Sequence, residues 1–218
     1  MIAPGRFRLT AWVALADFFT AVALFAFALY GVQRQKVIEV EQPVRKFAGA
    51  LSEALRSAGL RAEYDDVRSR LALPEALLFQ TGKWEIRDPA VVAKISRAML
   101  EVRDSLRKED QAMWGQTRSF HLVIRGHADA RPVRGASNLW LSKQRARALE
   151  EALLDTGISA PEFHVSSQAV GDSEPKVDNC APQTAQLRTD CPAGQFASDR
   201  ALAPNRRIEL RFGFFSGS

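Results

Sequence analysis

The chain has 218 residues, 46% hydrophobic and 25% charged, a composition that excludes wholesale disorder and collagen-like or low-complexity structure. Thirty Lys and Arg against 25 Asp and Glu give a net charge of +5, spread along the chain with no basic stripe interleaved with aromatics, so nucleic acid is not indicated as a partner. The length suits one ordinary domain and a substantial appendage.

Residues 1–10 form a short arm with Arg6 and Arg8, and the next 21 residues, AWVALADFFTAVALFAFALYG, are apolar with Asp17 as their only charged group. At about 1.5 Å per residue this run reaches about 31 Å, close to the roughly 30 Å of bilayer hydrocarbon, which predicts one transmembrane helix over Ala11 to Gly31. A cleaved secretory signal is the rival reading. It is disfavoured by the length of the run, its internal acid and an exit, FALYGVQRQ, without a small-x-small cleavage site. Orientation is weakly encoded, since Arg34 and Lys36 balance Arg6 and Arg8. Cys180 and Cys191 lie in a Pro-, Thr- and Asn-containing loop without a nearby His, which suits a short-loop disulfide better than a metal site. A disulfide needs an oxidising compartment, which places the C-terminal region in a bacterial periplasm and the N-terminus in the cytoplasm.

An acid within a bilayer costs roughly 2.5–3.5 kcal/mol on insertion scales, so Asp17 calls for a reason. Thr10, Ala14, Asp17, Ala21, Leu24, Ala28 and Gly31 recur at helical spacing and line one mostly small face, a seam suited to close helix packing. Thr20, three residues on, is positioned to hydrogen-bond the carboxyl. One helix cannot shelter an acid alone, so partner helices are implied.

Residues 32–64 read as a helical connector, with Val37, Val40, Val44, Phe47, Leu51, Leu55 and Ala58 at helical spacing up to Gly59. Pro43 predicts a helix start just before it, or a kink. The connector could be a spacer, a dimerising stalk or a regulatory plug. Residues 65–218 alternate strand and helix. Arg70 to Phe79 predicts an edge or entry strand broken by Pro74 and Glu75. Asp88 and Pro89 predict a helix start ahead of the stripe Val92, Ile95, Met99, Val102 and Leu106. Phe120 to Gly126 predicts a buried strand, and Ser142 the opening of a helix through Leu149 and Leu153 that stops at Gly157. Phe163 to Ala169 and Arg207 to Phe214 complete an α+β domain. In the last strand Ile208, Leu210 and Phe212 should point inward and Glu209 and Arg211 outward.

Two sets of motifs carry a resemblance. The run WVALADFFTA, from Trp12 to Ala21, resembles the membrane signature of the B subunits of ion-driven stators, among them flagellar MotB and the Zorya anti-phage subunit ZorB. The stretch IRGHADxRPxxGxSNLWLSKQRA from Ile124 to Ala146, with LFQTGKWEI from Leu78 and NRRIELRF from Asn205, resembles the OmpA-like peptidoglycan-binding domain, of βαβαββ type. SNLWLS looks more like the MotB branch than the outer-membrane branch, and Ala128 stands where Thr is usual. The short N-terminal arm, the compact chain and a connector that runs through RLALPEALLF directly into the wall domain look more like ZorB.

The resemblance implies that Asp17, with Thr20 beside it, carries a proton, or sodium, through a channel made with a ring of polytopic A subunits, the B subunit itself being a homodimer. It implies that the wall's diaminopimelate is held by Asp129 on its amine and Arg145 on its carboxylate. Asp129 at a strand exit and Arg145 in the first turn of the next helix can converge, with that helix's N-terminal amides as a second anion site. Asn138 would shape the loop, and Asn205 and Arg206 are lesser candidates. The alternative at this site is an Asp–Arg bridge that pins loop to helix. For the whole chain the alternatives to Zorya defence are a flagellar stator subunit and a passive tether from inner membrane to wall. His127, His121 and His164 show no metal or nucleophile spacing, and phosphate loops, paired catalytic carboxylates and nucleophile elbows are missing. Neither an enzyme nor a metal or organic cofactor is expected.

Overall fold

A computed structural model describes residues 6–109, 119–131, 135–158, 163–181, 187–189, 191 and 195–215. It divides the chain into two units, Met1–Gln42 and Pro43–Ser218. The first five residues of the expected arm lie outside the described residues, as do the side chains of Thr10, Ala14, Val37 and Val40.

The first unit holds the N-terminal part of helix α1 (Arg6–Ser57). Its described side chains, Trp12, those of 15–31 and Gln42, are all exposed, with Phe18, Phe19, Phe25 and Phe27 at 61–74%. Among the described residues no helix is long and apolar enough to cross a membrane. Thr20 does not bond the Asp17 carboxyl as expected. Its Oγ1 donates to Ala16 O at 2.8 Å, because a helical hydroxyl finds the carbonyl of its own preceding turn before a neighbouring side chain.

In the second unit, of the two features expected at Pro43, a helix start or a kink, the start is absent, since α1 runs on through it. An interior proline costs about 3 kcal/mol. The residues just beyond it, Val44, Phe47, Ala48, Leu51 and Leu55, are buried in the core, and full burial of each large apolar side chain contributes about 1.5–3 kcal/mol, so burial wins. From Val44 to Leu55 the stripe assigned to the connector therefore packs into the domain, whose compact unit begins at Pro43 and not at residue 65.

The rest of this unit is α+β. Strands β1 (Glu63–Asp65), β2 (Arg70–Pro74), β3 (Ser119–His127), β4 (Phe163–Gly171) and β5 (Arg207–Phe215) form one sheet in the order β1-β2-β5-β3-β4. Among the described residues only β3 and β4 pair in parallel. Helices α2 (Glu75–Leu78), α3 (Pro89–Glu109), α4 (Asn138–Asp155) and α5 (Asp199–Leu202) complete it. From β2 onward the main elements follow the expected βαβαββ order. The apolar run ends as a strand at Pro74, and the edge strand β1, with no buried residue, escapes any hydrophobic pattern.

Alternate residues of the central strands build the core: Leu71 and Leu73, Leu122 and Ile124, Ile208 and Leu210, with Leu210 opposite both Leu71 and Ile124. The predicted stripe of α3 packs on them, as do Leu149 and Leu153 of α4. Phe47 of α1 meets Phe120 at 4.4 Å and Phe212 at 5.1 Å between ring centroids, contacts worth roughly 0.5–1.5 kcal/mol each beyond burial. Asp88 caps α3, its Oδ1 accepting from Ala90 N at 2.9 Å. Gly157 at φ +93° closes α4, with Ile158 N donating to Leu153 O and Gly157 N to Leu154 O, the pair of bonds that satisfies the last carbonyls of a helix.

Two expectations fail here. Helix α4 opens at Asn138, with Ser137 Oγ accepting from Trp140 N at 3.0 Å, and not at Ser142. Ser142 is buried, donates to Leu139 O and accepts from Gly171 N at 3.0 Å, tying α4 to the end of β4. Glu209 does not face solvent: it is 1% exposed. Arg70, Arg125 and Arg207 surround it, and Glu174, from the loop after β4, is drawn onto Arg125 at 2.6 Å.

Candidate functional site

Strand β3 delivers Asp129 to one end of the sheet. Beyond its last residue Ala128 N still donates to Gly171 O at 2.8 Å, so the chain leaves the sheet at a set position. Asp129 is 5% exposed. Its Oδ1 accepts from Arg131 N at 3.0 Å, and the Arg131 guanidinium closes on the same carboxylate, Nη2 to Oδ2 at 2.7 Å. Arg206, between the short helix Ala203–Asn205 and β5, adds Nη1 to Oδ2, also at 2.7 Å. Burial opposes the charge of Asp129, but the hydrogen bonds from Arg131 and Arg206 outweigh it and hold its pKa below the ordinary value.

Arg145 reaches the same end from α4. Because α4 begins at Asn138, Arg145 lies two turns inside the helix and not in its first turn. It is 2% exposed. Its Nη2 pairs with Glu75 Oε1 at 2.7 Å, its Nε donates to Lys83 O at 2.8 Å, and its guanidinium lies 5.6 Å from the centre of the Phe79 ring. Glu75 is the first residue of α2. Burial pushes the Glu75 pKa up against the pull of Arg145 and Arg206, and pushes the Arg145 pKa down against the pull of Glu75.

Asp129 and Arg145 thus do not bond each other. Both line a single cavity of about 340 Å³. Glu75, Arg131, Asp199 and Arg206 share that lining, so three acids face three guanidiniums and the formal charge balances. Such a cavity suits a small ligand carrying both signs. Asn138 also lines it, with Nδ2 donating to Asp172 Oδ2 at 3.3 Å and Oδ1 buried without a partner. Asn138, Leu141 and Arg145, spaced by three and four residues, present one face of α4 to the cavity.

Asn205 does not line the cavity. Its Oδ1 accepts from the backbone N of Lys176 and Val177, and its Nδ2 donates to Val177 O and Asn179 Oδ1, so its amide is spent on pinning the loop after β4. Cys180 and Cys191 of that loop are joined in a disulfide with Cα atoms 5.4 Å apart. His127 is buried, 3.3 Å from Glu209 Oε2, and burial pushes its pKa down. Asp17 and Thr20 belong to the first unit. Glu75, Arg131 and Asp199 escaped the sequence reading. Arg131 stands inside the quoted motif, two residues from Asp129, where a D-x-R spacing could have marked it.

The OmpA family model matches residues 78–188, just over half of the chain, including Asp129, Asn138 and Arg145. No curated protein matches the chain in sequence. A putative MotB like protein from Desulfovibrio vulgaris is similar in structure, with 17% identity, a TM-score of 0.53, and coverage of 85% of this chain and 98% of that one; this likeness shows a common fold. The cell wall anchor of the T6SS from Pseudomonas aeruginosa gives 24% identity, 75% and 96% coverage and a TM-score of 0.47. The periplasmic domain of Helicobacter pylori MotB gives 19% identity, 66% and 72% coverage and a TM-score of 0.43.

Proposed function

This chain belongs to the OmpA family, and from that premise we propose that its α+β domain is a periplasmic peptidoglycan anchor whose cavity takes the diaminopimelate side chain of the wall. The observation that carries the reading is the charge-balanced cavity that Asp129 and Arg145 share. Diaminopimelate ends in one ammonium and one carboxylate. Asp129 takes the first, Arg145 the second, with Arg206 beside them in the cavity lining and Asn138 holding the loop. Each charge-assisted contact is worth about 1.5–3 kcal/mol, so Asp129→Asn should lower retention of the chain on purified sacculi about tenfold or more. Undiminished retention would refute the assignment.

We further propose that the chain is the B subunit of an ion-driven motor, single-pass in the inner membrane through 11–31, with the N-terminus cytoplasmic. The exposed aromatic and aliphatic side chains that surround Asp17 on α1 support this, because large apolar surface without a partner marks a lipid or helix contact. Asp17 carries the proton within a ring of polytopic A subunits, paired with a second copy of this chain, and the wall anchor lets torque act on the ring. The role is mechanical and ion-carrying, not enzymatic. Of the stator systems the Zorya anti-phage defence is the one favoured by a connector that runs directly into the wall domain. Asp17→Asn should assemble with its partner yet lose activity, because an amide cannot alternate between neutral and charged states. Lost phage protection supports the Zorya role, lost motility moves the chain to flagella, and full function leaves only a tether.

A further inference from the structure

The carboxylate that this reading offers to the ligand's ammonium is already occupied by the protein's own cations. Asp129 Oδ1 accepts from Arg131 N at 3.0 Å and Arg131 Nε at 3.2 Å, and Oδ2 accepts from Arg131 Nε at 3.2 Å, Arg131 Nη2 at 2.7 Å and Arg206 Nη1 at 2.7 Å. An ionised carboxylate offers about four lone-pair sites, and these contacts fill them. An arriving ammonium finds no free acceptor there, so one occupant has to yield.

The two guanidiniums are not equally placed to do so. The Arg206 side chain is 17% exposed, bonds Asp129 and Asp199, and has its Nε 3.8 Å from Glu75 Oε2. Its backbone is tied as well, its carbonyl accepting from Glu75 N at 3.1 Å. The Arg131 side chain is 33% exposed and sits in the loop beyond β3. It also has a second seat: the same Nη2 lies 2.8 Å from Asp199 Oδ1, on a side chain 70% exposed.

We propose that Arg131 is a displaceable internal competitor, its guanidinium holding the ammonium seat on Asp129 in the empty protein and moving onto Asp199 when a diaminopimelate ammonium arrives. The inference rests on the wall-binding reading above. It explains how a buried carboxylate avoids being left unpaired before a ligand binds, which would be costly. It also gives the site a selectivity rule. A ligand that brings an ammonium compensates Asp129 for the cation it loses, whereas a ligand that brings only carboxylates cannot and leaves Arg131 in place.

Calorimetric titration of the full chain in detergent, with meso-diaminopimelate and with pimelate, tests this. Pimelate has the same chain length and both carboxylates but no amine. Arg131→Gln should bind diaminopimelate about tenfold more tightly than the wild type, as expected when about 1.4 kcal/mol of competition is removed, and should bind pimelate no better. Arg131→Lys retains a competing cation and should stay near wild type. Asp199→Asn removes the second seat and should weaken diaminopimelate binding. If Arg131→Gln weakens binding of both ligands, Arg131 is a contact for the ligand's carboxylate and the competitor role is overturned. If Asp129→Asn abolishes binding while Arg131→Gln leaves it unchanged, the competitor role falls and the wall-binding reading stands. If the wild type and Arg131→Gln both fail to bind diaminopimelate, both fall together.

Discussion

Gly126→Ala is expected to destabilise the domain by more than about 3 kcal/mol, the upper end of ordinary overpacking. Gly126 lies near the end of β3 where α4 crosses it. A Cβ built there would stand 2.1 Å from Ser142 O, 2.8 Å from its carbonyl carbon and 3.2 Å from its Cα. All three are backbone atoms of α4, so no side chain can rotate aside and the helix itself has to move. It is not free to. Ser142 Oγ holds Gly171 N at 3.0 Å, and Leu141, Ala146, Leu149 and Leu153 bury the same helix in the domain. Domains in general are stable by only about 5–15 kcal/mol. For a domain of this size each kcal/mol lowers the melting temperature by about 2–4 °C, so circular dichroism should record a drop of at least about 6 °C. Wall binding should fall with it, because the same crossing sets Asp129 against Arg145. A melting temperature within about 2 °C of wild type would mean that α4 has room to give.

That close approach shows where the sequence is legible and where it is not. Local signals were readable because their cause is local: the 3.6-residue stripe of α3, Asp88 ahead of Pro89, Gly157 past the end of α4. Asp129, Asn138 and Arg145 could be singled out because they stand at set positions within one contiguous motif. Their partners could not. Glu75 meets Arg145 from 70 positions away in the sequence, and nothing local distinguishes it from a solvated acid at a strand exit. Glu209 shows the same gap in another form, since strand alternation tells which face a residue takes but not that Arg70, Arg125 and Arg207 cover that face. Ser137 and Ser142 are both competent helix caps, and the choice rests on Ser142 being needed against Gly171 N. The stripe from Val44 to Leu55 was visible as a stripe, whereas its partner, Phe47 against Phe120 and Phe212, is a tertiary fact.

Arg145→Ala is expected to cost about 3–5 kcal/mol of stability and to abolish wall binding, and the two losses are separable. Truncating Arg145 leaves the Glu75 carboxylate buried without the guanidinium now 2.7 Å from its Oε1. The typical cost of breaking a buried pair from one side is of that size, because the remaining charge is uncompensated. Part of it is relieved by protonation, since burial already pushes the Glu75 pKa up and loss of Arg145 pushes it further. The folded pKa then lies above the unfolded value, so the group stabilises the fold below the unfolded pKa and that contribution is lost as pH rises through the folded pKa. Arg145→Ala should therefore melt closer to wild type in mild acid than at neutral pH. Adding Glu75→Gln removes the stranded charge and should recover most of the stability at neutral pH. It should not recover retention on sacculi, because the cation for the ligand's carboxylate is still absent. This pair of variants distinguishes a ligand contact from a bridge that merely pins α2 to α4. Were the double variant to regain both stability and wall binding, Arg145 would be a structural residue, and the ligand's carboxylate would have to be met by Arg206 in the same cavity.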